Sequence, residues 1–252
     1  MESTNSNAAA IRAFRILTVV SDHDEGCGLV EIAQALDLPK QTVHRLIKQL
    51  ELYGLLVLLP CSKRLFLGRP VHQLAIRSLT HGPSRQVRHG ILKALVDEIG
   101  ETCNLTALVD SDVLYLDRVE THWPLRANLG PGSHVPIHAT ASGKLLLGYL
   151  PRRKRDQLIS NLPLRALTPH TITKVDDLLR EVEAARKQGY AVNAQEHLMG
   201  MVALAVPVFH QGVACAAIAT QAPIGRMTME DLVRVLPSMK AAALAMGDAL
   251  NV

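Results

Sequence analysis

Two helical segments separated by a three-residue turn, over residues 30–52, constrain the N-terminal part of this chain most strongly. The first segment is short and carries three apolar residues on one face, Ile32, Ala33 and Leu36. The second repeats apolar residues at the i, i+3, i+4, i+7 spacing of an amphipathic helix, at Val43, Leu46, Ile47 and Leu50. Pro39 ends the turn, where a helix needs no N–H donor. The spacing predicts a helix-turn-helix, whose second helix can lie in the DNA major groove.

The flanking segments complete this prediction. A helical period over residues 8–20 precedes the motif. After Tyr53-Gly54, a helix-ending pair, two apolar runs follow, LLVLLP and LFLG, joined by residues 61–64. The two runs predict a β-hairpin with a basic tip, which is the wing of a winged helix.

The charge of this segment favours DNA over plain solvation of its outer face. Between Pro39 and Pro70 six residues are basic and only Glu51 is acidic, whereas a merely solvated face mixes both signs. Gln41 and Arg45 can read base edges, and the wing residues are suited to phosphates. The predicted DNA-binding residues are Lys40, Gln41, Thr42, His44, Arg45, Lys48, Lys63 and Arg64.

Composition limits the class of protein. With 252 residues, 48% of them hydrophobic and 20% charged, the chain suits two globular domains. Its four cysteines are far apart, with neither disulfide nor zinc spacing. The first residues lack a signal peptide pattern, and no apolar run reaches the roughly 18 residues of a membrane helix. We expect a cytoplasmic protein without a membrane partner.

The second half predicts an α+β domain. A helix over residues 71–79 ends at His81-Gly82-Pro83, the expected domain boundary, and another follows over residues 87–99. Two strands flank the turn at residues 110–112, and a hairpin turn is expected at residues 210–212. Thr173 and Asp176 have capping-box spacing before a helix that runs to Gly189. The last helix, from Thr228, should kink before Pro237.

Several segments imitate catalytic motifs but lack their essential residues. The sequence Ala141-Ser142-Gly143-Lys144 has neither the earlier glycine nor the following Ser or Thr of a phosphate-binding loop. His134 and His138 are four apart, but Pro136 between them disfavours the helix that a zinc protease needs. We therefore expect no catalytic residues, no metal and no cofactor. The Gly/Pro loop before Thr140 feeds a helix N-terminus, which favours an anion such as a carboxylate.

Three segments together resemble the IclR family of transcriptional regulators. They are the N-terminal winged helix, HATASGKLLL at residues 138–147, and GYAVNAQEHLMGMVALAVPVFHQGVACAAIATQAP at residues 189–223. The resemblance spans nearly the whole chain. It implies a winged helix-turn-helix DNA-binding domain at 1–70, a linker helix at 71–82 and an effector-binding and oligomerisation domain at 83–252. That last domain should be α/β, GAF/profilin-like, with an antiparallel sheet.

The resemblance also implies a site and partners. The effector would be a small carboxylic acid. Its binding site would be lined by Ala141, Ser142, Asn193, Met201, Ala203, Ala219 and Gln221. The family often has an acid at the position of Asn193 and small hydroxyl residues near Ala219 and Gln221, so this site is less charged and leaves room for an aromatic carboxylate. For Ala203 and Ala219, plain strand packing is an equal alternative. The family's DNA-bound form is a homodimer, with dimer-of-dimers tetramers frequent.

Together these observations predict a ligand-responsive transcriptional regulator that binds a double-stranded DNA operator. The alternative from another class is a small-molecule-binding enzyme that carries an accessory helix-turn-helix. An enzyme should show an acid/base or metal-binding constellation, and the sequence offers none that stands out.

Overall fold

The structure, a computed structural model, describes residues 2–23, 25–80, 83–125 and 129–249. It divides into two compact units, Met1–Ser78 and Leu79–Val252. Two of the residues predicted to end the linker helix, His81 and Gly82, lie outside the described residues.

The first unit is a winged helix-turn-helix. Its elements are α1 (Glu2–Ser21), α2 (Leu29–Leu36), α3 (Lys40–Leu52), β1 (Leu56–Leu59), β2 (Arg64–Leu67) and α4 (Arg69–Thr80). The apolar stripes of α2 and α3 both face one core, which also includes Ile16 of α1 and Leu56 of β1. Asp37 adopts a left-handed conformation that ends α2 and turns the chain into α3. The predicted helix-turn-helix and wing are confirmed.

The second unit is an α+β domain. Its helices are α5 (Pro83–Ile99), α6 (Ala141–Tyr149), α7 (Arg152–Asn161), α8 (Val175–Gln188), α9 (Met229–Arg234) and α10 (Leu236–Ala249). Its strands are β3 (Thr102–Val109), β4 (Asp112–Val119), β5 (His134–Pro136), β6 (Ala191–Ala194), β7 (Met201–His210) and β8 (Val213–Pro223). The strands form one antiparallel sheet in the order β5-β4-β3-β8-β7-β6. The predicted α+β class is confirmed.

Helix α6 lies on this sheet through small residues. Its Ala141 shares a buried cluster with Ala191, Ala205 and Ala219 from three neighbouring strands. Short side chains on both surfaces allow the helix and the sheet to approach closely. Thr140 caps α6 by accepting a hydrogen bond from the Gly143 N–H at 3.3 Å.

Two local predictions were wrong. No side chain caps α8: its first residue follows Lys174, so Thr173 lies one position too early to act as the cap. The predicted single C-terminal helix is two helices, because α9 ends at Arg234 and α10 begins at Leu236, with Pro237 in the first turn of α10, where its missing N–H costs nothing. The predicted start of this segment at Thr228 is confirmed, because Thr228 caps α9 and forms a capping box with Asp231.

Candidate functional site

The outward face of α3 is polar and largely exposed. Four apolar residues point into the core, and the polar positions between them face outward; the four are Val43, Leu46, Ile47 and Leu50. Lys40, Gln41, His44, Arg45 and Lys48 are exposed, and Thr42 is half-buried. Lys48 forms an ion pair with Glu51 at 2.9 Å, one turn further along the helix. The N-terminal half of this face therefore presents donors and positive charge that α3 itself does not neutralise.

The wing places its two basic residues differently. Lys63 is exposed in the turn at residues 60–63 and has a positive φ of 53°. Arg64 instead lies in β2, where its Nε and Nη2 atoms donate to the Gly26 carbonyl oxygen at 3.1 and 2.9 Å. Its Nη2 also lies 3.1 Å from Glu31 Oε2. Arg64 thus joins the wing to the start of α2. The charge pattern of the sequence instead predicts Arg64 at the tip of the wing, in contact with phosphate.

In the second unit, strand register brings three predicted effector residues into one row. Asn193 of β6 lies opposite Ala203 of β7, which lies opposite Gln221 of β8. Residues directly opposite on neighbouring strands share one face of a sheet. These three line a small cavity of about 20 Å³ together with Met201, His197, Leu198 and Val202.

The other three predicted effector residues do not line this cavity. Ala141 and Ala219 are buried in the cluster that joins α6 to the sheet, and Ser142 is 4% exposed. The small size of Ala141 and Ala219 serves the close approach of α6. For Ala219 this is the strand-packing alternative, and the contact of Ala141 and Ser142 with the effector stays a prediction.

A buried polar network holds Asn193 in place. Its Nδ2 donates to the Ala139 carbonyl at 3.0 Å, and its Oδ1 accepts from the Glu196 N–H at 2.8 Å. Glu196 in turn accepts a charge-assisted hydrogen bond of 2.6 Å from Lys144 Nζ, which is fully buried in α6. The Asn193 amide is therefore tied to the protein on both sides, and the network joins α6 to the loop beside the cavity.

Comparison with known proteins identifies the family. The model for "Bacterial transcriptional regulator IclR C-terminal" matches residues 76–247, and the model for the IclR helix-turn-helix domain matches residues 9–60. The chain belongs to the IclR family. The expected resemblance is confirmed, and a family of transcriptional regulators with a DNA-binding helix-turn-helix accounts for both units.

Similar proteins agree with this assignment. The probable transcriptional regulator SauR of Cupriavidus necator is 51% identical over 96% of both chains. An IclR homolog from Microbacterium hydrocarbonoxydans, solved with 4-hydroxybenzoate, has a TM-score of 0.61 at 25% identity and covers 96% of this chain and 99% of its own. The inducer-binding domain of an Acinetobacter PobR double mutant, solved with 3-hydroxybenzoic acid, has a TM-score of 0.59 at 30% identity, covering 66% of this chain and 98% of its own.

One titratable residue, His197, lines the cavity of this IclR-family chain but was not among the predicted site residues. Burial lowers the pKa of His197, and the nearby His138 lowers it further. The imidazole is therefore neutral at pH 7. Its position directly after Glu196, in the loop that follows Asn193, was the sequence signal, but an isolated Glu-His pair is usually structural.

Within the described ranges, no group of three or more His, Cys, Asp or Glu side chains could hold a metal ion. Among the same residues, every helix is too short or too polar to cross a lipid bilayer.

Proposed function

We propose that this IclR-family regulator binds a palindromic operator in the cytoplasm as a homodimer, and that an aromatic carboxylic acid changes its affinity for that operator. The observation that carries the effector proposal is the row of Asn193, Ala203 and Gln221 along one cavity. Structural neighbours solved with 4-hydroxybenzoate and 3-hydroxybenzoic acid support the ligand class. Pairing into a dimer of dimers is the alternative assembly.

The proposed division of labour follows the chain. Residues 1–70 bind DNA, 71–82 form the linker helix, and 83–252 bind the effector and associate with other copies. A dimer suits the proposal because the winged helix presents one recognition helix, and a two-fold symmetric protein matches the two half-sites of a palindrome.

We propose that Gln41 and Arg45 contact base edges and that Lys63 contacts phosphate. Arg45→Ala should cost about 1–3 kcal/mol at the operator and reduce the preference for it over random DNA. Lys63→Ala should weaken binding to both DNAs about equally and lower the salt slope by about 1 unit, because one phosphate contact is lost. Fluorescence anisotropy at four salt concentrations, with both DNAs, measures these quantities.

Lys93→Ala serves as the matched control, because Lys93 is exposed on the second unit and pairs within α5, with Asp97 at 2.7 Å. Its DNA affinity and salt slope should equal those of the unmodified protein. An Arg45→Ala protein with an unchanged preference for the operator would remove Arg45 from the recognition surface.

The effector proposal predicts that filling the cavity abolishes the response to acids. Ala203→Leu adds three carbon atoms to the wall of a small cavity, so the affinity for 3- or 4-hydroxybenzoate, whichever the unmodified protein binds, should fall at least about tenfold, or about 1.4 kcal/mol. Operator binding without acid should be retained. Calorimetry with both acids and anisotropy with operator DNA give the two readouts.

Ala214→Leu is the control, since Ala214 is half-buried on β8 outside this cavity. It should leave acid binding unchanged. Equal binding of the acid by the Ala203→Leu protein would place the effector site elsewhere in the second unit.

A further inference from the structure

The β8 wall of the effector cavity is backed by a buried cation. Arg118 of β4 lies opposite Asn104 of β3, which lies opposite Ala219 of β8. Gln221 follows Ala219 by two residues and therefore shares its face of the sheet. The Arg118 side chain is only 2% exposed, so its charge acts inside the domain, where screening by water is weak.

The contacts of Arg118 fix the orientation of the Gln221 amide. With its oxygen towards the guanidinium, the Gln221 amide accepts from Arg118 Nη1 at 2.9 Å and Nη2 at 3.3 Å. The opposite orientation would set the NH₂ donors of Gln221 against the donors of Arg118, which is unfavourable. In this orientation the NH₂ group of Gln221, a residue that lines the cavity, points away from the guanidinium.

Two further contacts show that this end of the cavity is rich in donors. Arg118 Nη1 donates to Asn104 Oδ1 at 2.9 Å, and the Asn104 Nδ2 is buried without a hydrogen-bond partner among the described residues. Arg118 Nε donates to Glu120 at 3.2 Å, but the Glu120 side chain is 39% exposed. Water screens that exposed carboxylate more than it screens the buried guanidinium.

The opposite end of the cavity differs. Each polar atom of the Asn193 amide makes one hydrogen bond within the protein, Nδ2 to the Ala139 carbonyl and Oδ1 from the Glu196 N–H. The α6 residues Ala141 and Ser142 do not line the cavity. None of the seven lining residues carries a formal charge when His197 is neutral, and Met201, Leu198 and Val202 supply apolar walls.

We propose that Arg118 acts as a positioning residue that turns the Gln221 NH₂ group into the cavity, and that the acid group of the effector lies at this Gln221 end, away from Asn193. The inference rests on the proposed function and specifies its ligand geometry. A carboxylate accepts the amide hydrogen atoms and lies within the field of the guanidinium, whereas a neutral ligand gains only the hydrogen bond.

The ratio of acid to amide affinity tests this assignment. Calorimetry would measure benzoate, 3-hydroxybenzoate and 4-hydroxybenzoate, together with the corresponding neutral amides benzamide, 3-hydroxybenzamide and 4-hydroxybenzamide, against the full-length protein. The preference for each bound acid over its amide should fall at least about tenfold in Gln221→Met and in Arg118→Met, because each change removes the oriented donor. Arg118→Lys, which keeps the charge but loses the two-atom contact, should retain part of the preference.

Asn193→Ser is the matched control at the other end. It can lower all affinities by loosening the network, but the acid-to-amide ratio should stay within about threefold, because Asn193 does not meet the acid group. Should Arg118→Met fail to fold, Arg118→Lys and the change at half-buried Gln221, Gln221→Met, decide the question. An unchanged ratio in Gln221→Met, with acids bound normally by the unmodified protein, overturns this inference but leaves the proposed function intact. Binding of none of the three acids by the unmodified protein overturns both.

Discussion

Gly143→Ala should destabilise the second unit by about 3 kcal/mol or more. A Cβ atom at residue 143 would lie 2.0 Å from the Ile137 carbonyl oxygen and 2.6 Å from its carbonyl carbon. Both are backbone atoms in the 3-10 turn Ile137–Ala139, and that turn precedes α6 directly. No side-chain rotation can relieve the clash, so the turn or the helix must move, and overpacking of this kind is among the more costly single changes.

The measurement is urea unfolding followed by the fluorescence of Trp123, the single tryptophan of the chain, which lies in the second unit. Gly90→Ala provides a matched control because Gly90 lies within α5 and a Cβ there meets no atom within 4 Å. Alanine is the better helix former, so this control should be neutral or stabilising by up to about 1 kcal/mol. Equal stability of the two variants would show that the backbone at Ile137 is not held as closely as described.

The parts of the fold that were predicted correctly carry a clear period or a specific turn. Helix α3 shows its four buried residues directly in the sequence, and the β7–β8 hairpin is marked by residues 210–212. Helix α7 was missed because only Arg155 and Ile159 of its ten residues are buried, which leaves no apolar stripe to detect. Strand β5 has three residues, too few for an alternating pattern.

The candidate effector site was only partly predictable, because it depends on strand register. Asn193, Ala203 and Gln221 were proposed from the family resemblance, and their alignment in one row follows from pairing that the sequence does not state. Arg118 lies on β4, about a hundred residues before Gln221. Its approach to Gln221 requires the neighbouring order β4-β3-β8, which no local pattern encodes.

The wing shows the same limit at a single residue. Lys63 and Arg64 are adjacent and equally basic in the sequence, so both were assigned to phosphate. The structure separates them because Lys63 ends the turn and Arg64 begins β2, and Gly26 offers Arg64 a carbonyl acceptor from another segment. The positive charge of the wing predicts that this segment can bind phosphate. The point at which β2 begins decides which of its two basic side chains is free to do so.

Lys144→Met should lower the free energy of unfolding of the second unit by about 3–5 kcal/mol. The variant keeps the length of the side chain but removes the partner of Glu196, whose Oε2 atom already has no hydrogen-bond partner among the described residues. Glu181, the other carboxylate near Lys144 Nζ at 3.4 Å, is 38% exposed and can be hydrated. The loss of stability therefore comes mainly from Glu196. Leaving its buried carboxylate unpaired destabilises the fold by more than the ion pair had stabilised it.

A second change distinguishes this cause from lost packing. In Lys144→Met with Glu196→Gln the buried charge is gone, and residue 196 can still accept from the Ala194 N–H, so about 2 kcal/mol of the loss should be recovered. Lys93→Met, at an exposed pair with Asp97, should cost about 0.5 kcal/mol or less. If the double variant were as unstable as Lys144→Met, packing of the lysine stem would explain the loss instead. Recovery would show that the loss arises from the unpaired, buried carboxylate of Glu196.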